Sequence, residues 1–296
     1  MFISSFLMGI LPTYEQVSYG APIALVVLRV LQGVAVSGEF NGAVIFSVES
    51  FGEKRPYFIG MWTPFAASLG MLIGSFLCTL IFMDGVPEYS WRFVFLLSGL
   101  GGLVSFFLRK NMVETKEFMT RKRKLLRFSD PLKEVLTSDR LPFITCFFAA
   151  MFVANFVYIG NVYYKSLLLK SVSLSQASFV TTVGQLITTF VILFVGLFAD
   201  FYQVRRLTTV SLVFAAILSP LMMACSYQEG LSPWLGQVIY GLLNGTVSAT
   251  LLTYVTMSFS TSVRYSGSSF GWSLGSALFG GTSLVVRAVE MVAAAT

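Results

Sequence analysis

Eight runs of apolar residues, each close to free of charge, dominate this chain: 21–51, 57–83, 91–108, 141–163, 174–199, 207–227, 232–257 and 265–289. A hydrocarbon core about 30 Å thick takes about 20 residues of helix to cross. Inside it only helices and closed barrels satisfy their own backbone groups. A soluble domain can bury many apolar residues, but not eight separate segments of that length. The expectation is therefore an all-α membrane protein. Composition agrees, since only 11% of the residues are charged, against about 25% in soluble domains. The opening run MFISSFLMGIL stops at Pro12, too short to cross. It lacks the charged start and small-residue cleavage pattern of a signal peptide, and is expected to be the end of a helix.

Basic residues set the orientation. Lys54 and Arg55, the ten Lys and Arg from Arg109 to Arg140, then Arg205, Arg206 and Arg264 fall in alternate connections, which marks those connections as cytoplasmic. Glu15, Asp84, Glu88, Arg92, Lys165, Lys170 and Glu229 occupy the opposite connections as a mixed set. The net charge of +6 is thus a loop feature and gives no reason to expect nucleic acid as a partner. The chain divides into 1–110, a basic cytoplasmic loop at 111–139, and 140–296. Within the loop, Asp130 as cap and Pro131 as first helical residue predict a short surface helix to about Leu136. The run RKRKLLR, 121–127, reads first as a topology determinant and second as a site for acidic lipid.

Several chemistries are excluded. The chain has no histidine, which removes the usual metal-binding imidazole and the base of a Ser-His-Asp triad. Any proton handling falls to carboxylates. Cys78, Cys146 and Cys225 lie within apolar runs and read as small buried hydrophobes. Gly271-Trp-Ser-Leu-Gly275 fits the G-x-S-x-G pattern of serine hydrolases, but that elbow needs a strand-to-helix turn and a histidine. No enzyme, metal or cofactor is expected.

Polar residues inside the runs carry the functional information, because a charge at the bilayer centre costs about 2.5–3.5 kcal/mol on insertion scales. In RVLQGVAVSGEFNGA, 29–43, a continuous helix would set Gln32 about 60° and Glu39 about 80° to one side of Arg29. That makes one polar face. Ten residues rise about 15 Å, so Arg29 and Glu39 do not pair within the helix. They line a water-accessible pathway, or they make ion pairs with other helices. Asn155, Tyr158 and Asn161 recur at three-residue steps, and Tyr240 and Asn244 sit four apart; alone, such residues supply interhelical hydrogen bonds. Gly70 with Gly74, Gly241 with Gly245, and Gly267, Gly271 and Gly275 make G-x-x-x-G faces for close helix approach.

Four stretches match a known family in order. RVLQGVAVSGEFNGAVIFSVESFGEKRPYFIGMW, 29–62, resembles the fourth and fifth helices of the major facilitator superfamily. The likeness is to its bacterial metabolite:proton symporters, the group of the osmoprotectant/proton symporter. SWRFVFLLSG, 90–99, with LRKNMVETKEF, 108–118, is similar to the sixth helix and its exit. GLFADFYQVRR, 196–206, resembles the cytoplasmic turn between helices eight and nine, and STSVRYSG, 260–267, the turn between ten and eleven. Val204 and Ser260 stand where the family normally has glycine and proline, and Ser258 where many wider relatives have glutamate.

The resemblance implies a truncated major-facilitator-type bundle of about eight full spans plus an N-terminal partial helix, lacking equivalents of helices one, two and twelve. It implies proton-coupled symport of a small polar or zwitterionic metabolite, osmolyte or carboxylate by alternating access in a bacterial inner membrane. Glu39 would couple the proton. Arg29, Gln32, Asn155, Tyr158, Asn161, Tyr240 and Asn244 would line the substrate cavity, since the family's helices one, four, seven and ten surround the substrate. Glu49, Arg55, Asp200, Arg205, Arg206 and Arg264 would close the cytoplasmic side, Glu49 beside Lys54 and Arg55, and Asp200 with Arg205 and Arg206. The glycine face at 267–275 would lack its helix-two partner. The alternative is a non-transporting remnant or a membrane interaction partner.

Overall fold

The computed structural model describes residues 2–36, 38–110, 129–226, 232–280 and 282; the basic run 121–127, Glu229 and most of 281–289 lie outside them. The described elements are helical. They are α1 (Phe2–Gly9), α2 (Tyr14–Val17), α3 (Gly20–Val36), α4 (Glu39–Phe51), α5 (Pro56–Gly60), α6 (Trp62–Ile81) and α7 (Trp91–Lys110). After the basic loop come α8 (Ser129–Thr137), α9 (Arg140–Tyr158), a π turn (Ile159–Tyr163), α10 (Tyr164–Leu168), α11 (Leu174–Ala199), α12 (Val204–Ala224), α13 (Pro233–Met257) and α14 (Arg264–Phe279).

Helix starts reflect local chemistry. Ser173 and Gln176 exchange hydrogen bonds in a capping box before α11, and Pro56 and Pro233 open α5 and α13. The surface helix α8 includes its Asp130–Pro131 signal.

Among the described residues, seven segments are long and apolar enough to cross a bilayer: 20–51, 56–81, 91–108, 140–168, 174–199, 204–224 and 233–257. The eighth run is described as the 16-residue α14. Large apolar side chains such as Val30, Phe106 and Phe190 are exposed on the rim, where acyl chains cover them. This is a multi-pass membrane protein.

Helix α13 is the axle: 67% of its segment is buried, against 6% of the α7 segment at the rim. It packs on α9, α11 and α12, and its cytoplasmic half meets α4 and α5. Glycine makes its closest contact possible, because a Cβ on Gly241 would lie 2.7 Å from the Gly184 carbonyl oxygen on α11. The other glycine faces differ from expectation. Gly70 and Gly74 have nothing within 4 Å of where a Cβ would be, so they mediate no close approach. The face of Gly267, Gly271 and Gly275 is occupied: Phe259 covers Gly267, while Cys146 and the Phe147 carbonyl on α9 cover the other two.

The two parts of the chain join along α6 and α11 through hydroxyl and amide pairs. Ser68 Oγ lies 2.8 Å from Thr189 Oγ1 and accepts from Gln185 Nε2 at 2.8 Å. Further along, Ser75 and Thr79 both reach Thr182. Polar pairs bring two helices together in hydrocarbon, where apolar attraction between helices is weak.

Candidate functional site

Charged contacts between the two parts gather at one end of the bundle, the end that carries Lys54, Arg55, Arg205 and Arg264. The Asp200 carboxylate, at the end of α11, accepts the backbone N–H groups of Tyr57 at 2.9 Å and Phe58 at 2.8 Å. These are orphan donors at the start of α5, so an acid from one part caps a helix of the other. Arg55 stands 3.9 Å from Asp200, beyond hydrogen-bond reach, and its Nε has no bonding partner among the described residues. Its guanidinium instead donates to the Leu197 carbonyl at 2.5 Å and lies over the rings of Phe58 and Phe201.

A second link joins Arg264 at the start of α14 to Glu49 near the end of α4, at 3.1 Å with both side chains mostly buried. The pairing implied by the resemblance is thereby redrawn. Glu49 bonds Arg264 and Asp200 faces Arg55, while Arg205 and Arg206 are exposed and make no ion pair among the described residues. The reason is reach: 49–55 and 200–206 lie on opposite sides of the junction, and each acid takes the cation facing it. Beside Asp200 opens a cavity of about 510 Å³ lined by Lys54, Tyr57, Gln203, Arg205 and Tyr254.

Two residues singled out as departures also act here. Ser260 donates both its N–H (3.0 Å) and its hydroxyl (2.6 Å) to Asp139 between α8 and α9. A proline has no N–H to give. Ser262 donates to Glu134 at 2.6 Å. Val204 is buried at the start of α12. Sequence reasoning missed Asp139 and Glu134, although serine in place of proline signalled a new donor.

Deeper in the membrane the expected faces are partly rearranged. Arg29 Nη1 donates to Gln32 Oε1 at 3.0 Å, and Gln32 Nε2 donates to Ser5 Oγ on α1 at 3.1 Å. Glu39 is the first residue of α4, after Gly38. Glu39 is exposed on the side of the bundle.

The Asn155, Tyr158 and Asn161 face is split by the π turn, which adds a residue to one turn and rotates the residues beyond it. Asn161 donates to the Tyr240 hydroxyl at 2.6 Å, and Asn244 donates to the same oxygen at 3.1 Å. Asn155 bonds Met151 O and Thr282 instead, and Tyr158 is exposed. At the turn, Gly160 lies under the Tyr240 ring and its carbonyl accepts from Gln237 at 2.9 Å.

Seven buried side-chain atoms lack a hydrogen-bond partner among the described residues, and four of them, on Asn41, Arg55, Thr253 and Arg264, sit where α4, α5 and α14 meet α13 or α11. Each such atom costs about 1–3 kcal/mol. This junction is therefore the least satisfied interior surface described.

Comparison with known proteins agrees with the helical arrangement. The sequence profile of the Major Facilitator Superfamily matches residues 1–282. The chain is 34% identical over 129 residues to a glycine betaine/proline/ectoine/pipecolic acid transporter of Dickeya dadantii, covering 42% of this chain and 26% of that protein. It is 30% identical over 129 residues to the proline/betaine transporter of Escherichia coli K12, with the same shares. To the shikimate transporter of Escherichia coli K12 it is 27% identical over 313 residues, covering 97% of this chain and 68% of that one. The matches thus span about a quarter of the length of the first two relatives and about two thirds of the third. No solved structure matches the chain.

Proposed function

The chain belongs to the Major Facilitator Superfamily, and from that footing we propose that it serves as a proton-coupled secondary transporter of a small polar or zwitterionic metabolite, osmolyte or carboxylate in a bacterial inner membrane. The observation that carries the reading is the cytoplasmic latch: Asp200 capping α5 and Arg264 paired with Glu49 join the two parts of the chain at one end. Alternating access needs a closure that can be undone, with two states within a few kcal/mol of each other. Hydrogen bonds and ion pairs beside four unsatisfied buried atoms suit that better than a seamless apolar contact. In this reading the conformation described is the one closed on the cytoplasmic side.

In this mechanism Arg29, held by Gln32, which in turn donates to Ser5, meets an anionic group of the substrate. Asn161, Tyr240 and Asn244 supply neutral hydrogen-bonding groups from the other part of the chain, and Glu39 takes and releases the proton at the head of the helix that ends in the Glu49 link. The named substrates of the relatives, proline, betaine and shikimate, all carry a carboxylate, which supports the role given to Arg29.

Purified protein in proteoliposomes tests this, with labelled proline, betaine and shikimate and an imposed pH gradient. Uptake independent of sodium and faster with acid outside is expected, and Glu39→Gln should abolish the response to the gradient. An unchanged response in that variant removes Glu39 from coupling. Uptake no faster than into empty vesicles would favour a membrane interaction partner.

A further inference from the structure

Gly38 and Gly42, one turn apart on the same face of the α4 start, form a seat for one side chain from the other part of the chain. A Cβ on Gly38 would lie 2.7 Å from the Tyr265 hydroxyl oxygen, and a Cβ on Gly42 would lie 2.9 Å from Tyr265 Cε2. No side chain fits at either position with the ring in place. Tyr265 comes directly after Arg264 on α14, and Arg264 holds Glu49 at the far end of α4. Two neighbouring residues therefore grip one 13-residue helix near both ends.

We propose that Tyr265 is a positioning residue of the cytoplasmic gate: its ring in the Gly38–Gly42 seat, together with the Arg264–Glu49 pair, fixes α4 to α14, and opening requires withdrawal of the ring. The two contacts divide the work. The ion pair alone would leave α4 free to pivot about its Glu49 end, where a single point holds it. The ring removes that freedom and keeps α4 pressed on α13, where Asn41 meets Thr256 at 3.4 Å and Phe40 lies 6.0 Å from Trp272 of α14. Tyr265 is itself 54% exposed. A ring more than half exposed has room on the solvent side into which it can leave the seat.

The proposal rests on the reading that this face opens and closes, but its test needs no substrate. Thr256 is fully buried under α4, so a Thr256→Cys reporter, in a chain whose three native cysteines are alanine, is labelled only when α4 lifts. A membrane-impermeant maleimide is added to the cytoplasmic face of inside-out vesicles. Tyr265→Ala should speed labelling about ten-fold, the effect of losing a half-buried ring contact. Tyr265→Phe keeps the ring and should stay within about two-fold of the parent. Gly42→Ala should speed labelling when Tyr265 is present and add nothing to Tyr265→Ala, because contacting residues couple.

Labelling unchanged by Tyr265→Ala, while Arg264→Gln accelerates it, would overturn the proposal, as would equal effects of Gly42→Ala in both backgrounds. A chain that labels as expected yet takes up nothing would sink the transport reading and leave the clamp standing.

Discussion

Replacing Asp200 by asparagine separates the two ideas of what closes the cytoplasmic face, an ion pair or a helix cap. Asp200 is 9% exposed and receives two backbone N–H bonds, whereas Arg55 is 39% exposed and 3.9 Å away. A partly exposed pair at that distance contributes under about 1 kcal/mol. Two charge-assisted bonds contribute about 1.5–3 kcal/mol each, while asparagine offers one neutral oxygen that recovers about 1 kcal/mol. Asp200→Asn should therefore destabilise the closed face by about 2–5 kcal/mol, roughly 30- to 5000-fold in the closed-to-open ratio. Arg55→Gln loses the weak ion pair, one carbonyl bond and the contacts with Phe58 and Phe201, worth about 1–2 kcal/mol together. The reporter is Thr253→Cys, buried on α13 with its side chain against Gly60 of α5. Its labelling rate from the cytoplasmic face measures how often α5 leaves α13. Asp200→Asn should accelerate labelling at least several-fold more than Arg55→Gln. Equal effects, or a larger one from Arg55→Gln, would refute the cap argument and return the latch to simple charge pairing.

The packing sets two further outcomes. Gly241→Ala should lower the unfolding temperature in detergent, because its Cβ would meet the Gly184 carbonyl and Ile187, neither of which can swing aside; overpacking of this kind costs about 1–3 kcal/mol. Gly70→Ala, with open space at the Cβ, should leave it unchanged. Ser260→Pro would restore the residue usual in the family while deleting both donors to Asp139. It should cost about 1–3 kcal/mol, read as a lower unfolding temperature; a gain in stability would show that the Asp139 contact is dispensable.

The spans were legible because hydrocarbon leaves so few alternatives: an apolar run of sufficient length must be a helix. The Arg29–Gln32 contact was legible too, since residues three apart in a helix are neighbours. The Asn155–Asn161 arrangement was not legible. At the π turn Gly160 lies under the Tyr240 ring and its carbonyl accepts from Gln237, contacts between distant elements that spacing within 155–161 does not show. Pairings such as Arg264 with Glu49, 215 residues apart, depend on the assembled bundle. Sequence named the charged residues of the latch but not which acid meets which cation.

Contacts at the glycines differ between the inside of each part and the boundary between the parts. Inside each part some glycines approach neighbouring backbone, as Gly241 meets the Gly184 carbonyl and Gly275 the Phe147 carbonyl, while others, such as Gly160 under Tyr240 and Gly267 under Phe259, are met by side chains. Where backbone is met it cannot step aside, so those helices keep their spacing. Between the parts, glycines approach side chains: Gly60 meets Thr253, Gly196 meets Met61, and Gly38 and Gly42 meet Tyr265. A side chain changes rotamer at a cost of order 1 kcal/mol, and each of these can release its glycine without distorting a helix. The α6–α11 seam obeys the same rule, since the hydroxyls of Ser68, Ser75, Thr79, Thr182 and Thr189 can trade partners as the helices shift. Two bodies joined mainly through side chains would suit the rocking motion proposed above. Locking one such contact should therefore stop the motion while leaving both bodies folded. A disulfide or cross-linker between α4 and α14 that abolished uptake and left the unfolding temperature unchanged would meet that requirement, whereas uptake that survived the lock would place the moving boundary elsewhere.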